Sequence, residues 1–255
     1  MIVVISPSKT QDFSLAKYNF ICSEPKFYNE IMELITVLNK TSIKELKILM
    51  SISDNLAKLN FDRYQQFETK FTKDNSKPAI LSFKGDVYDG IDVDHYHSQD
   101  FDFAQQHLRI LSGLYGLVRP LDLIQPYRLE MGIKLKTAKN NNLYQFWGNK
   151  ITNELNHLTD NNKCLINLAS TEYFDSVNTN KLTCKKIDII FKEEKDDNYK
   201  IVGLFSKKAR GSMTNFIIKN KITKPELLKS FGEMEYKFNQ SFSNENQYVF
   251  TRKLK

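Results

Sequence analysis

The sequence predicts a single α+β domain over residues 1–255, with a mixed sheet flanked by helices. Three observations carry that expectation. Short apolar runs rich in β-branched residues sit near both ends and in the middle of the chain. Between them lie segments whose apolar residues recur at helical spacing. No composition shift, low-complexity linker or internal repeat divides the 255 residues, a length one domain can fill.

Ile2–Ser6 (IVVIS) reads as a buried strand, and Pro7–Thr10 as the turn after it. Phe27–Asn39 has helical periodicity. Ser42–Met50 repeats it, with Thr41 or Ser42 as cap and Glu45 placed for a capping box. Ser53 or Asp54 caps a further helix toward Leu59, and Asp62–Phe71 reads as helical. Ala79–Phe83 (AILSF) reads as a strand entering the Gly- and Asp-punctuated turn FKGDVYDGID. Asp100 reads as the cap of a helix over Phe101–Leu114, followed by a tight connection to Leu121. Asn142–Leu158 is predicted helical, Cys164–Leu168 a strand, and Thr171–Val177 a short helix. Lys185–Lys192 and Tyr199–Phe205 read as a hairpin joined by EEKDDN. Ala209–Asn220 is amphipathic, Pro225 opens Glu226–Ser230, and two strand segments lie within Glu235–Arg252.

Composition excludes several classes. Phe, Tyr, Ile and Leu are too plentiful for a disordered chain. Three cysteines, Cys22, Cys164 and Cys184, are too few and too far apart for a disulfide scaffold, and read as reduced, half-buried thiols. No apolar run is long enough to span a membrane, and the start lacks the basic segment of a signal peptide. The expectation is a cytoplasmic monomer without membrane, cofactor or metal. The formal charge is +7, unevenly placed. Residues 1–127 hold 14 basic and 16 acidic side chains, net −2; residues 128–255 hold 23 and 14, net +9. Lys207–Lys229 concentrates seven basic residues against Glu226 alone. That run is either a phosphate-facing surface or a solvated helix face.

Five segments could carry chemistry. Ser6–Thr10 brings hydroxyls and Lys9 to a strand end, either an anion site or a plain turn. Lys84, Asp86 and Tyr88 lie in a second strand exit, and a Lys–Asp pair could hold phosphate or move a proton. His107–Gly132 holds Gly113, Tyr115 and Gly116 in a turn, with Arg109, Arg119 and Arg128 nearby for charge-assisted contacts. Lys207, Lys208 and Arg210 lie at the start of a helix, where cations oppose the helix dipole unless an anion binds there. Ser170–Tyr173 could line a cleft. His95, His97 and the surrounding Asp residues invite a metal reading, but their spacing fits no standard frame, and a solvated loop is expected.

The segments ISPSKT, FKGDVYDG, FDFAQQHLRILSGLYGLVRPLDLIQPYRLEMG, LYQFWG, INLASTEYF and KKARGSM, in that order, resemble the peroxide stress resistance protein YaaA family. The resemblance spans nearly the whole chain. It implies a compact α+β domain of unusual topology with a positively charged cleft. It also implies a peroxide-induced cytoplasmic protein that binds DNA and limits intracellular free iron. A helix-hairpin-helix-like element, which would fall at Leu108–Leu123, is implied as well.

Two functions follow as expectations. The first is sequence-independent binding of double-stranded DNA through Gly113, Tyr115, Gly116, Arg119, Arg128, Lys207, Lys208 and Arg210. The second is an enzyme acting on a phosphorylated or nucleotide-like small anion, with Lys9, Lys84, Arg128 and Lys208 binding and Asp86 as an acid–base group. The second requires the polar strand ends to converge in one pocket. Direct iron ligation by the His95–His97 cluster is a weaker third.

Overall fold

The computed structural model describes residues 1–14, 18, 20–159, 163–196 and 198–253. The chain runs through β1 (Ile2–Ile5), β2 (Thr10–Gln11), α1 (Tyr28–Asn39), α2 (Ile43–Met50) and α3 (Asp54–Gln65). It continues with β3 (Lys77–Pro78), α4 (Ala79–Ser82), β4 (Phe83–Lys84), α5 (Ser98–His107), β5 (Leu108–Ser112), β6 (Gly116–Val118) and β7 (Leu123–Ile124). Then follow α6 (Leu143–Trp147), α7 (Lys150–Thr159), β8 (Leu165–Asn167), α8 (Thr171–Phe174), β9 (Lys186–Lys195) and β10 (Asn198–Lys200). The chain closes with α9 (Gly203–Lys219), β11 (Lys237–Phe238) and β12 (Gln247–Lys253).

The main sheet has the order β11-β12-β9-β8-β1-β5-β6, with β10 also paired to β9. Its five middle strands are parallel, and antiparallel strands close both sides. β1 lies centrally, buried at all four positions, as its unbroken apolar run requires. From β1 the chain crosses to β5 on one side and later returns to β8 on the other. Strand order therefore reverses at β1, and crevices form at the carboxyl ends of strands where that happens.

The capping box read at Ser42 and Glu45 is present, and α1 spans almost its predicted range. The hairpin of β9 and β10 is also present, although position 197 in its joint lies outside the described residues. Other expectations change. The helix predicted through Leu114 ends at His107, where Leu108 turns extended. Its cap position is His97, and Asp100 sits in the first turn, accepting from the His97 N–H at 3.0 Å. Leu108–Leu123 is not a helix-hairpin-helix. β5 and β6 form an antiparallel β-hairpin, and β5 also pairs with β1. All five residues of β5 are buried, and such a run cannot be told from a buried helix by periodicity.

AILSF is not a strand but the single helical turn α4, in which Ser82 Oγ donates back to Pro78 O at 2.9 Å. The helix predicted over 142–158 breaks at Gly148, whose φ of +49° leaves the right-handed helical region. α9 begins at Gly203, earlier than Ala209, and takes Phe205 from the predicted second arm of the hairpin. Lys207, Lys208 and Arg210 therefore lie inside the helix, past its first turn, which weakens the dipole argument for an anion there.

Candidate functional site

The carboxyl ends of β1 and β8 meet at the reversal point. Ser170 donates its N–H to Ser6 Oγ at 2.8 Å, and the two hydroxyl oxygens lie 3.2 Å apart. Tyr88 donates its hydroxyl to the Ser6 carbonyl at 3.1 Å, which ties the Lys84–Gly90 loop to the exit of β1. Thr10 pairs with Lys84 through β2 and β4. Gly85 adopts φ +103°, a conformation that favours glycine, and Ser8 Oγ lies 3.4 Å from where its Cβ would stand. The three polar strand-end segments of the sequence, Ser6–Thr10, Lys84–Tyr88 and Ser170–Tyr173, thus converge.

A fourth segment completes the group. Gln11 accepts from the Tyr127 N–H at 3.1 Å, which brings Tyr127–Glu130 against β2. Glu130 is 7% exposed and carries two cations on one oxygen: Lys9 Nζ at 3.1 Å and Arg128 at 2.8 Å from Oε1. Tyr64 donates to the Arg128 carbonyl and fixes the backbone there. Among the described residues, Glu130 Oε2 and Arg128 Nε are buried without a hydrogen-bond partner. Pro7, Lys9, Tyr127, Arg128, Glu130 and Tyr173 border a cavity of about 10 Å³. Burial raises the Tyr88, Tyr127 and Tyr173 phenols above their ordinary range, so at neutral pH they are walls and hydroxyl donors rather than bases.

Outside this group opens a cleft of about 540 Å³ that shares Lys9 and Glu130. Ile48, Leu49, Met50 and Ile133 give it apolar lining, and Lys134 and Glu172 charged lining. Glu172 is held in place by the Gly132 N–H, which donates to Oε1 at 3.2 Å. A cleft with both apolar and charged lining suits a ring bearing a charged group.

The remaining sequence-predicted residues are placed elsewhere. Gly113, Tyr115 and Gly116 are buried. Trp147 Nε1 donates to the Gly113 carbonyl at 3.0 Å, and a Cβ on Gly113 would lie 2.2 Å from Leu129 O. Gly116 has φ +70° and packs on the Trp147 ring. The three form a structural turn beneath the surface. Arg119 Nε donates to Asp122 Oδ1 at 2.9 Å, and NH2 donates to the Glu24 carbonyl at 3.1 Å, so that guanidinium is engaged internally. His95 pairs with Asp92 at 2.7 Å. Among the described residues no group of three or more His, Cys, Asp or Glu is placed to hold a metal, and no helix is long and apolar enough to cross a membrane.

α9 packs on the Val87–Gly90 loop, with Gly211 against Val87 O and Gly90 against Ser212 N. This places Lys207 Nζ 3.8 Å from Asp86. The basic run divides by use. Lys219 and Lys221 both bind Asp100, and Lys229 lies over the Phe238 and Tyr248 rings. Among the described residues Lys208, Arg210 and Lys224 have no carboxylate partner.

Sequence reading missed Glu130 as a functional residue, although it sits inside the quoted segment. Its only sequence signal is Arg128 two positions before it, and the Lys9 contact spans 121 residues of chain.

A family model described as peroxide stress protein YaaA matches residues 1–242. A UPF0246 protein of Acaryochloris marina is 50% identical over 252 residues, covering 99% of this chain and 100% of the relative. A UPF0246 protein of Burkholderia lata is 46% identical over 258 residues, covering 100% and 99%.

Proposed function

The chain belongs to the peroxide stress protein YaaA family, and from that premise we propose that it serves the peroxide-stress response by binding a nucleotide-like small anion at its strand ends. One observation carries this reading: Lys9 and Arg128 meet on the buried Glu130, beside the place where the Ser6–Thr10, Lys84–Tyr88 and Ser170–Tyr173 strand ends converge. Lys9 is more than half exposed and can turn toward a phosphate without unfolding anything. Arg128 adds a second cation at the same place. Ile48 and Ile133 supply a surface for a ring. Asp86, facing Lys207, is then a positioning group at the far end of the Lys84–Gly90 loop, with Lys84 and Lys208 as outer cations.

Calorimetric titration with inorganic phosphate, ribose 5-phosphate and adenosine 5′-monophosphate tests this reading. Binding of at least one probe, weakened about tenfold or more by Arg128→Met and Lys9→Met, is the expected result. No binding of any probe at millimolar concentration overturns it.

A second reading is sequence-independent binding of double-stranded DNA by the outer face of α9. It is favoured by Lys208 and Arg210, cations without a carboxylate partner among the described residues. Affinity for a duplex should then fall steeply between 50 and 200 mM salt, roughly in proportion to a power of the salt concentration. Charge reversal at Lys207, Lys208 and Arg210 should weaken every duplex alike. An affinity insensitive to salt, or none at low salt, removes this reading. In either case limitation of free iron and of oxidative damage would be an indirect consequence of ligand binding rather than of iron ligation.

A further inference from the structure

We propose that Glu130 Oε2 and Arg128 Nε together seat a hydroxyl of the bound ligand, so that the site selects ribose-type anions over their deoxy counterparts. The inference rests on the anion-binding reading above and adds a requirement to it. Glu130 is more than nine-tenths buried, yet one of its two carboxylate oxygens has no hydrogen bond. An unpaired buried carboxylate oxygen is costly, and a bound group is one thing that answers it. Arg128, held to Glu130 through its other nitrogen, leaves Nε equally unpaired. One free atom is an acceptor and the other a donor. A hydroxyl is the smallest group that answers both, donating to Oε2 and accepting from Nε.

Size agrees with the chemistry. Both residues border the cavity of about 10 Å³, room for one oxygen and no more. Glu130 and Lys9 line both this cavity and the larger cleft, where the rest of a ligand fits. Ser8, Gln11 and Tyr127 also line the cavity, and its size admits only a single small polar group. Lys9 meets Glu130 at Oε1 and leaves Oε2 without a partner among the described residues. A ligand lacking the hydroxyl leaves both buried atoms unsatisfied, which is the arrangement that gives strong rejection of deoxy analogues.

The test compares adenosine 5′-monophosphate with its 2′-deoxy and 3′-deoxy analogues, and ribose 5-phosphate with 2-deoxyribose 5-phosphate, by calorimetry on the full chain. The expected result is that at least one ribose probe binds about tenfold or more tighter than its deoxy partner. Glu130→Gln, which presents an amide where the carboxylate accepted, should shrink that ratio toward one. Inorganic phosphate affinity should change far less. Equal affinities for all ribose and deoxy pairs in the unaltered protein would overturn the hydroxyl seat, leaving a water there, while the anion reading stands. Absence of binding by every probe would overturn both. The comparison in the unaltered protein needs no variant to fold.

Discussion

Ser6 and Ser170, separated by 164 residues of sequence, share one hydrogen-bonded contact in which the Ser170 N–H donates to Ser6 Oγ at 2.8 Å. The contact links the ends of the central strand β1 and its neighbour β8 at the point where strand order reverses.

Ser6→Ala should therefore cost more than the loss of an exposed hydroxyl. It strands the Ser170 N–H beside a buried methyl group. The expected destabilisation is about 1–3 kcal/mol in a urea titration. A Ser8→Ala control, where the hydroxyl accepts only from the exposed Thr10 N–H, should cost about 1 kcal/mol or less. Equal costs would show that the Ser6 contact is not retained in solution.

Glycine positions separate packing from propensity. A Cβ on Gly211 would lie 1.8 Å from Val87 O, so Gly211→Ala must push α9 off the Val87–Gly90 loop. Destabilisation of about 1–3 kcal/mol or more is expected. Gly203, in the first turn of the same helix, has nothing within 4 Å of its Cβ position. Gly203→Ala should be neutral or stabilising by up to about 1 kcal/mol. Melting both variants side by side checks the contrast, and a milder effect at Gly211 than at Gly203 would refute the docking of α9.

Legibility in the sequence followed the length scale of the interaction. The Ser42–Glu45 capping box is a three-residue matter and was readable as such. β1 was readable because an unbroken β-branched run has one good home, the middle of a parallel sheet. Leu108–Ser112 was not, because its burial on both sides comes from β1 and β6 rather than from its own pattern. The partners of the basic run Lys207–Lys229 were not legible for the same reason: Asp100, which takes two of its lysines, lies more than a hundred residues earlier. The strand-end segments were visible singly, but Glu130, which Lys9 of the first segment meets, had no local mark.

Asp100 supplies a pH dependence. Burial pushes its carboxyl up, but hydrogen bonds from Lys221, the His97 N–H and Lys219 outweigh that and hold it well below the ordinary carboxylate range. A carboxyl depressed in the folded state stabilises above the unfolded value near about 3.9, and that contribution is lost as pH falls through the folded value. Stability should therefore fall with acidification below about pH 4. Asp100→Asn should destabilise by about 1–3 kcal/mol at pH 7 and by much less near pH 2. A cost that does not change with pH would mean that the lysine pairs contribute nothing through charge.

Arg210 carries the last prediction. Burial lowers its guanidinium pKa, with no neighbouring carboxylate to offset the desolvation. Its Nε is buried without a hydrogen bond, and Gly211 beside it is locked against Val87 O, so the side chain cannot swing out by shifting the helix. A half-buried cation in that state lowers the stability of the unliganded fold. Arg210→Met keeps the aliphatic length and removes the charge, and should raise stability by about 1 kcal/mol. If the guanidinium is kept because an anion meets it, the same variant should bind duplex DNA or phosphate more weakly than the unaltered protein. Melting and binding measured on one preparation separate the possibilities. A variant that is less stable would show that Arg210 already has all the compensation it needs within the fold. One that is more stable but binds equally well would place its anion elsewhere on α9.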